Sequence, residues 1–114
     1  SAQSYMKNKL HYAPEARRDL DEIWDYIASD LENRTSADRV VNQILDAADQ
    51  LENFPALGTL LSSIANVDSD YRYLTSGSYL IFYRIQQNDI FIERILYGRR
   101  DYLRVLGVDE LPPL

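Results

Sequence analysis

Hydrophobic positions along this chain change their period twice, and the changes mark its elements. Lys7 to Ala13 alternates at Leu10 and Tyr12, as a short strand does, and stops before Pro14. Ala16, Leu20, Ile23, Trp24, Ile27 and Leu31 then recur at steps that make one helical stripe. Pro14 suits the first turn of that helix, where no intrahelical donor is lost. Glu15 and Asp19 place negative charge near its N-terminus. The pattern ends near Leu31–Arg34. Ser36-Ala37-Asp38, or Thr35 before it, offers a cap for a second helix. Its stripe runs through Val40, Val41, Ile44, Leu45, Ala48 and Leu51. A short polar link between two amphipathic helices predicts an antiparallel helical hairpin.

Phe54-Pro55 closes the second helix and Gly58 supports a turn. Thr59 to Asp70 has no clear period and is read as irregular. From Tyr71 to Asp101 the period becomes two. Three strands are predicted, with Ser76-Gly77 and Gln87-Asn88-Asp89 as the turns of an antiparallel meander. Alternation places Tyr79, Ile81, Tyr83 and Ile85 opposite Leu80, Phe82 and Arg84. On the last strand Ile90, Ile92, Arg94 and Leu96 oppose Phe91, Glu93, Ile95 and Tyr97. Both faces are rich in apolar groups. The hairpin covers one; the second is expected to stay partly bare, as a partner or self-association surface, unless a C-terminal element covers it. Asp101 to Leu106 predicts a short C-terminal helix stopped by Gly107.

The expected architecture is therefore α+β: an N-terminal strand, a helical hairpin, the meander and the short helix, in one domain over 6–107. Residues 1–5, ahead of Met6, are expected to be an expression remnant or a disordered end, and 108–114 an extended tail.

Composition narrows the chemistry. The 114 residues contain no cysteine and a single histidine, His11, so thiolate metal sites are excluded and zinc chemistry is disfavoured. No apolar run approaches the roughly 20 residues that span a bilayer, and no secretory layout opens the chain; a cytoplasmic protein without membrane contact is expected. Net charge is −6, unevenly spread. Residues 1–70 carry six Lys/Arg against thirteen Asp/Glu, whereas 71–104 carry six Arg against three acids. An acidic whole disfavours non-specific nucleic-acid binding, but the basic half can meet an acidic partner.

No Gly-rich phosphate loop, Gly-x-Ser-x-Gly elbow or His-Glu-x-x-His pair is present. Asp19, Asp21, Glu22 and Asp25 lie at helical spacing and read as a solvated face. Trp24 falls in the first helical stripe, where core packing outweighs binding. Six of the nine tyrosines lie between Tyr71 and Tyr102, interleaved with arginines. Such a mixture stacks on bases and pairs with phosphates, or anchors a protein interface. Half-buried strand aromatics are the plainer reading. Gly98-Arg99-Arg100-Asp101, closing the last strand, is the sharpest local feature.

Taken together, YAPEARRDLDEIWDYI, Phe54-Pro55 and YLIFYRI…IFIERILYGRRD resemble the RelE/ParE superfamily of type II toxin–antitoxin toxins, over Leu10 to Leu106. The resemblance implies no cofactor and no metal, a cognate antitoxin, and a homodimer or a heterotetramer with that antitoxin. RelE-like members cleave messenger RNA on the ribosome; ParE-like members are associated with poisoning DNA gyrase. On the RelE pattern a basic residue should follow Tyr79, where Leu80 stands. Of two basic positions on the preceding strand, Arg72 matches and Leu74 does not. Arg100 fits, but the tyrosine expected near position 106 is Leu106.

Metal-free cleavage needs groups that move protons as well as cations, and arginine and leucine do not supply them. A ribonuclease would have to rely on Arg72, Arg100 and Tyr102. The pattern is closer to the ParE branch, a growth inhibitor acting by binding. The alternatives are a ribosome-dependent ribonuclease and an inactive relative that only binds protein. Target contacts are expected at Arg72, Arg84, Arg94, Arg99, Arg100, Tyr102 and Arg104. Antitoxin contacts are expected at Trp24, Tyr79, Phe82 and Phe91.

Overall fold

In the computed structural model, which describes residues 7–113, a strand β1 (Lys9–Tyr12) leads into α1 (Pro14–Asp25). The expected remnant at 1–5 lies outside the described residues. Then come α2 (Arg34–Asp49), β2 (Thr59–Leu60), β3 (Arg72–Ser76), β4 (Tyr79–Gln86), β5 (Asp89–Tyr97) and α3 (Tyr102–Leu106). The strands form one sheet in the order β1-β5-β4-β3-β2. β1 runs parallel to β5, and the other neighbours are antiparallel. The α+β architecture and the meander hold, and four details differ. The segment expected to be irregular contributes β2, which pairs Thr59 with Tyr73 and Leu60 with Arg72. A two-residue strand leaves no readable alternation.

The hairpin also differs at its turn. After Asp25 the first helix widens into a π-helical stretch, Tyr26–Asp30, closed by Leu31 N–H donating to the Tyr26 carbonyl at 3.2 Å. Tyr26, at the start of that stretch, is 54% exposed. Asn33, rather than Thr35 or Ser36, caps α2, its side chain accepting from Ser36 N–H at 3.0 Å. Trp24 donates its indole N–H to Asp38 at 2.8 Å and ties the two helices together.

The helices pack on one face of the sheet, over Ile81, Tyr83, Ile90, Ile92 and Ile95. Simple alternation sets Ile95 opposite Ile90 and Ile92; a β-bulge corrects that. Phe82 pairs with Arg94 but Tyr83 pairs with Ile92, so Glu93 has no counterpart on β4. The phase of β5 flips there. Ile95 joins the helix side, and Leu96 moves to the far side with Phe82.

The far face is not bare. Leu61, Val67 and Tyr71 bury Phe82 and Leu96 with help from Tyr102, Leu103, Val105 and Leu106 of α3. The tail is fastened over the same side. Leu111 N–H donates to the Asn66 carbonyl at 2.7 Å, and Val67 bridges Glu110. The C-terminal element thus covers the surface expected to be open, because α3 is itself amphipathic.

Candidate functional site

The candidate arginines separate into two groups by what their guanidinium groups already hold. Arg94 forms a forked pair with Asp19, at 2.7 and 2.9 Å. Asp19 also accepts the Ile95 backbone N–H at 2.9 Å. β1 pairs with β5 only as far as Ile92, so this carboxylate serves backbone that β1 does not reach. The hydrogen bond to Asp19 raises the Arg94 pKa further, against the opposing effect of burial. Asp19 is 5% exposed, which overturns its reading as part of a solvated helix face. Its position was legible: it stands three residues after Ala16 and four before Ile23, within the apolar stripe.

Arg72 donates to the Gly58 carbonyl at 2.9 Å and to that of Ala56 at 3.4 Å. Its cross-strand neighbour Tyr83 holds the same loop, donating to the Pro55 carbonyl and accepting from Gly58 N–H, both at 2.8 Å. Burial pushes the Tyr83 hydroxyl above its usual range, with Gly58 and Arg72 opposing. Arg84 lies 4.1 Å from the Tyr71 ring centre and pairs with Asp70 at 3.1 Å. All three sheet arginines therefore hold the fold itself.

Arg99, Arg100 and Arg104 are exposed and make no ion pair among the described residues. Gly98 sets their corner. Its N–H donates to Ser78 O at 2.8 Å, and a Cβ there would stand 3.3 Å from that oxygen. Arg100 borders a hollow of about 440 Å³ whose other walls are Asp19, Glu22, Ile23, Tyr26, Tyr79, Ile95 and Tyr97. The Tyr79 and Tyr97 rings meet edge-on, 6.0 Å between centres.

The expected ribonuclease residues are not brought together. Arg72 pairs with Tyr83 and so points to the helix-covered side, whereas Tyr102 packs at a tilt against Phe82 on the far side, 5.4 Å between ring centres. The expected antitoxin contacts are scattered as well. Phe82 is fully buried, which removes it as a surface contact. Trp24 packs within the hairpin, Tyr79 lines the hollow, and Phe91 stacks on His11, 5.0 Å between rings. Tyr26 and Tyr97 were not singled out by sequence. No group of three or more His, Asp or Glu side chains among the described residues is placed to hold a metal ion. No described helix is long and apolar enough to cross a membrane.

Comparison with known proteins gives three findings. The family model described as "ParE toxin of type II toxin-antitoxin system, parDE" matches residues 10–102. Two Mycobacterium tuberculosis proteins named Toxin ParE1, from strains CDC 1551 / Oshkosh and ATCC 25618 / H37Rv, are each 29% identical over 102 residues. Those matches cover 89% of this chain and 100% of each relative. A solved structure described as "Chromosomal ParDE TA system from P. aeruginosa" superposes with a TM-score of 0.64 at 23% identity. It covers 78% of this chain and 94% of that one, a likeness of fold alone.

Proposed function

This chain belongs to the ParE toxin family of type II toxin–antitoxin systems, and we propose that it arrests bacterial growth by binding rather than by catalysis. DNA gyrase is the target that the family implies, and a cognate antitoxin neutralises the toxin in the cytoplasm. The observation that carries the reading is the division of the arginines. Arg72 and Arg94 are half-buried and bound to other parts of the chain and Arg84 is bound on its surface, while Tyr102 packs on the opposite sheet face from Arg72. A metal-free ribonuclease would need cations and a proton-transfer group around one phosphate. Here the free cations gather at the corner after β5, as contacts. Trp24, Tyr79 and Phe91 remain candidates for the antitoxin.

Expression of the chain alone should stop growth, co-expression with its antitoxin should restore it, and purified protein should inhibit gyrase supercoiling. Untouched growth and supercoiling would overturn the reading. Cleavage of ribosome-bound messenger RNA would replace it with the ribonuclease alternative.

A further inference from the structure

The hollow beside the free arginines is built asymmetrically. Ile23 and Ile95 are buried beneath it, and Tyr26, Tyr79 and Tyr97 line it. Tyr26 stands where α1 passes into the π-helical stretch, and Tyr97 is 43% exposed at the end of β5. Burial raises the Tyr79 hydroxyl's pKa, and Tyr97 and then Tyr26 raise it further. Asp19, at the inner end, is already held by Arg94 and the Ile95 amide. Glu22 borders the helix side and Arg100 the strand side. Arg100 also borders a second hollow, of about 370 Å³, with Asp101, Arg104 and Val105. Arg100 is common to both linings, with tyrosines around the first hollow and Arg104 beside the second.

We propose that this corner docks an acidic segment of the toxin's protein target, seating one apolar side chain among Tyr26, Tyr79 and Tyr97 and its carboxylates on Arg100 and Arg104. The inference rests on the toxin reading above for whose segment it is. Tyrosine and arginine around a half-enclosed pocket are the residues that carry binding energy in protein interfaces. Charge points the same way. A DNA duplex presents a phosphate every 1.7 Å or so along its axis and needs many aligned cations. Three arginines beside Asp101 and Glu22, on a chain of net charge −6, do not make such a track. A short peptide places its few carboxylates locally, on the Arg100 and Arg104 side of the corner, with Glu22 of α1 across the hollow from them.

The test uses the full chain and four labelled probes read by fluorescence anisotropy. They are a peptide of Asp, Glu, Gly and Ser with one central Phe; its Asn/Gln counterpart; its Phe→Gly counterpart; and a short DNA duplex. The acidic Phe peptide should bind at least about 10-fold more tightly than either peptide control, and the binding should weaken with salt. Arg100→Gln with Arg104→Gln should weaken it about 10-fold, and Tyr97→Ala several-fold, while Arg84→Gln leaves it unchanged. Unaltered thermal unfolding of each variant excludes misfolding.

Tighter binding of the duplex, equal binding of the uncharged peptide, no binding of any probe, or indifference to the substitutions would each overturn the proposal. So would a concentration-dependent dimer broken by the same substitutions, since a second copy would then be the occupant. In cells, Arg99→Gln, Arg100→Gln and Arg104→Gln together should abolish growth arrest while the antitoxin still co-purifies. Arrest that persists while antitoxin rescue is lost would assign the corner to the antitoxin and overturn the proposal. Absence of arrest by the unaltered chain would instead sink the toxin reading, leaving the peptide result to judge the surface.

Discussion

Arg94 and Arg100 stand six positions apart in a basic stretch, yet they have opposite lives. Arg94 is three-quarters buried, with its side chain 24% exposed, and clamped to a carboxylate on α1. Arg100 is exposed between two hollows. The same contrast separates Arg72 and Arg84 from Arg99 and Arg104. What decides the outcome is the partner supplied by another part of the chain, not the residue or its neighbours in sequence. Asp19 lies 75 positions before Arg94, and Gly58 lies 14 before Arg72. An arginine on the sheet is therefore bound within this fold, and an arginine past the end of the sheet has no ion-pair partner among the described residues.

The most severe challenge to that division is Asp19→Ala. It leaves a largely buried guanidinium and a buried backbone N–H without their acceptor. Breaking such a pair typically costs about 3 kcal/mol or more. Chemical denaturation should show a loss of that size, and Asp19→Asn, which keeps an acceptor, should lose less. A cost below about 1 kcal/mol would place Arg94 among the dispensable arginines and break the comparison.

Gly58→Ala tests the Arg72 anchor. A Cβ there would lie 2.6 Å from the Tyr83 ring and hydroxyl and 2.8 Å from the Tyr73 carbonyl. Overpacking of this kind costs about 2 kcal/mol. Tyr83→Phe removes both hydrogen bonds to the loop and should cost about 1.5 kcal/mol. It also carries a pH signature. The folded pKa of Tyr83 is raised above the ordinary value near 10. Its contribution is therefore complete below about pH 10 and is lost as pH rises through the folded value. Tyr12, pushed up to about 12 by burial and then by Asp49 and Glu52, extends the same alkaline window. Stability measured from neutral pH upward should fall through that range, more gently in Tyr83→Phe and in Tyr12→Phe.

The sequence made some of this division readable and concealed the rest. Long periodic stretches such as Ala16 to Leu31 and Tyr79 to Tyr97 announce their elements, because burial of one face imposes the period. The free corner was visible too, since Gly98-Arg99-Arg100-Asp101 follows the last strand directly. The bulge at Glu93 was not: one unpaired residue reverses the facing of everything after it and leaves no compositional trace. Phe82 looked like a surface aromatic for a related reason. Its cover comes from Leu61, Val67 and α3, which are remote in sequence. Asp19 had a signal, a carboxylate inside an apolar stripe, but its partner could only be found by folding.

Arg84 sharpens the comparison at its margin, being bound yet 45% exposed, with Asp70 at 73%. Exposed pairs contribute up to about 1 kcal/mol and weaken with salt. Arg84→Ala should therefore cost no more than that, through the lost contact with Tyr71 as much as through charge.

The smallest expected effect belongs to the corner. Replacing Arg99, Arg100 and Arg104 with Gln takes the chain from its net −6 to three charges lower and removes no internal hydrogen bond recorded among the described residues. Local repulsion among the three guanidinium groups is relieved, while attraction to the acidic remainder of the chain is lost. These opposing changes are both screened at the surface, so the unfolding free energy should move by no more than about 0.5 kcal/mol. Thermal unfolding at low and raised salt checks this. A loss comparable to that of Asp19→Ala would mean that the corner, too, holds the fold together.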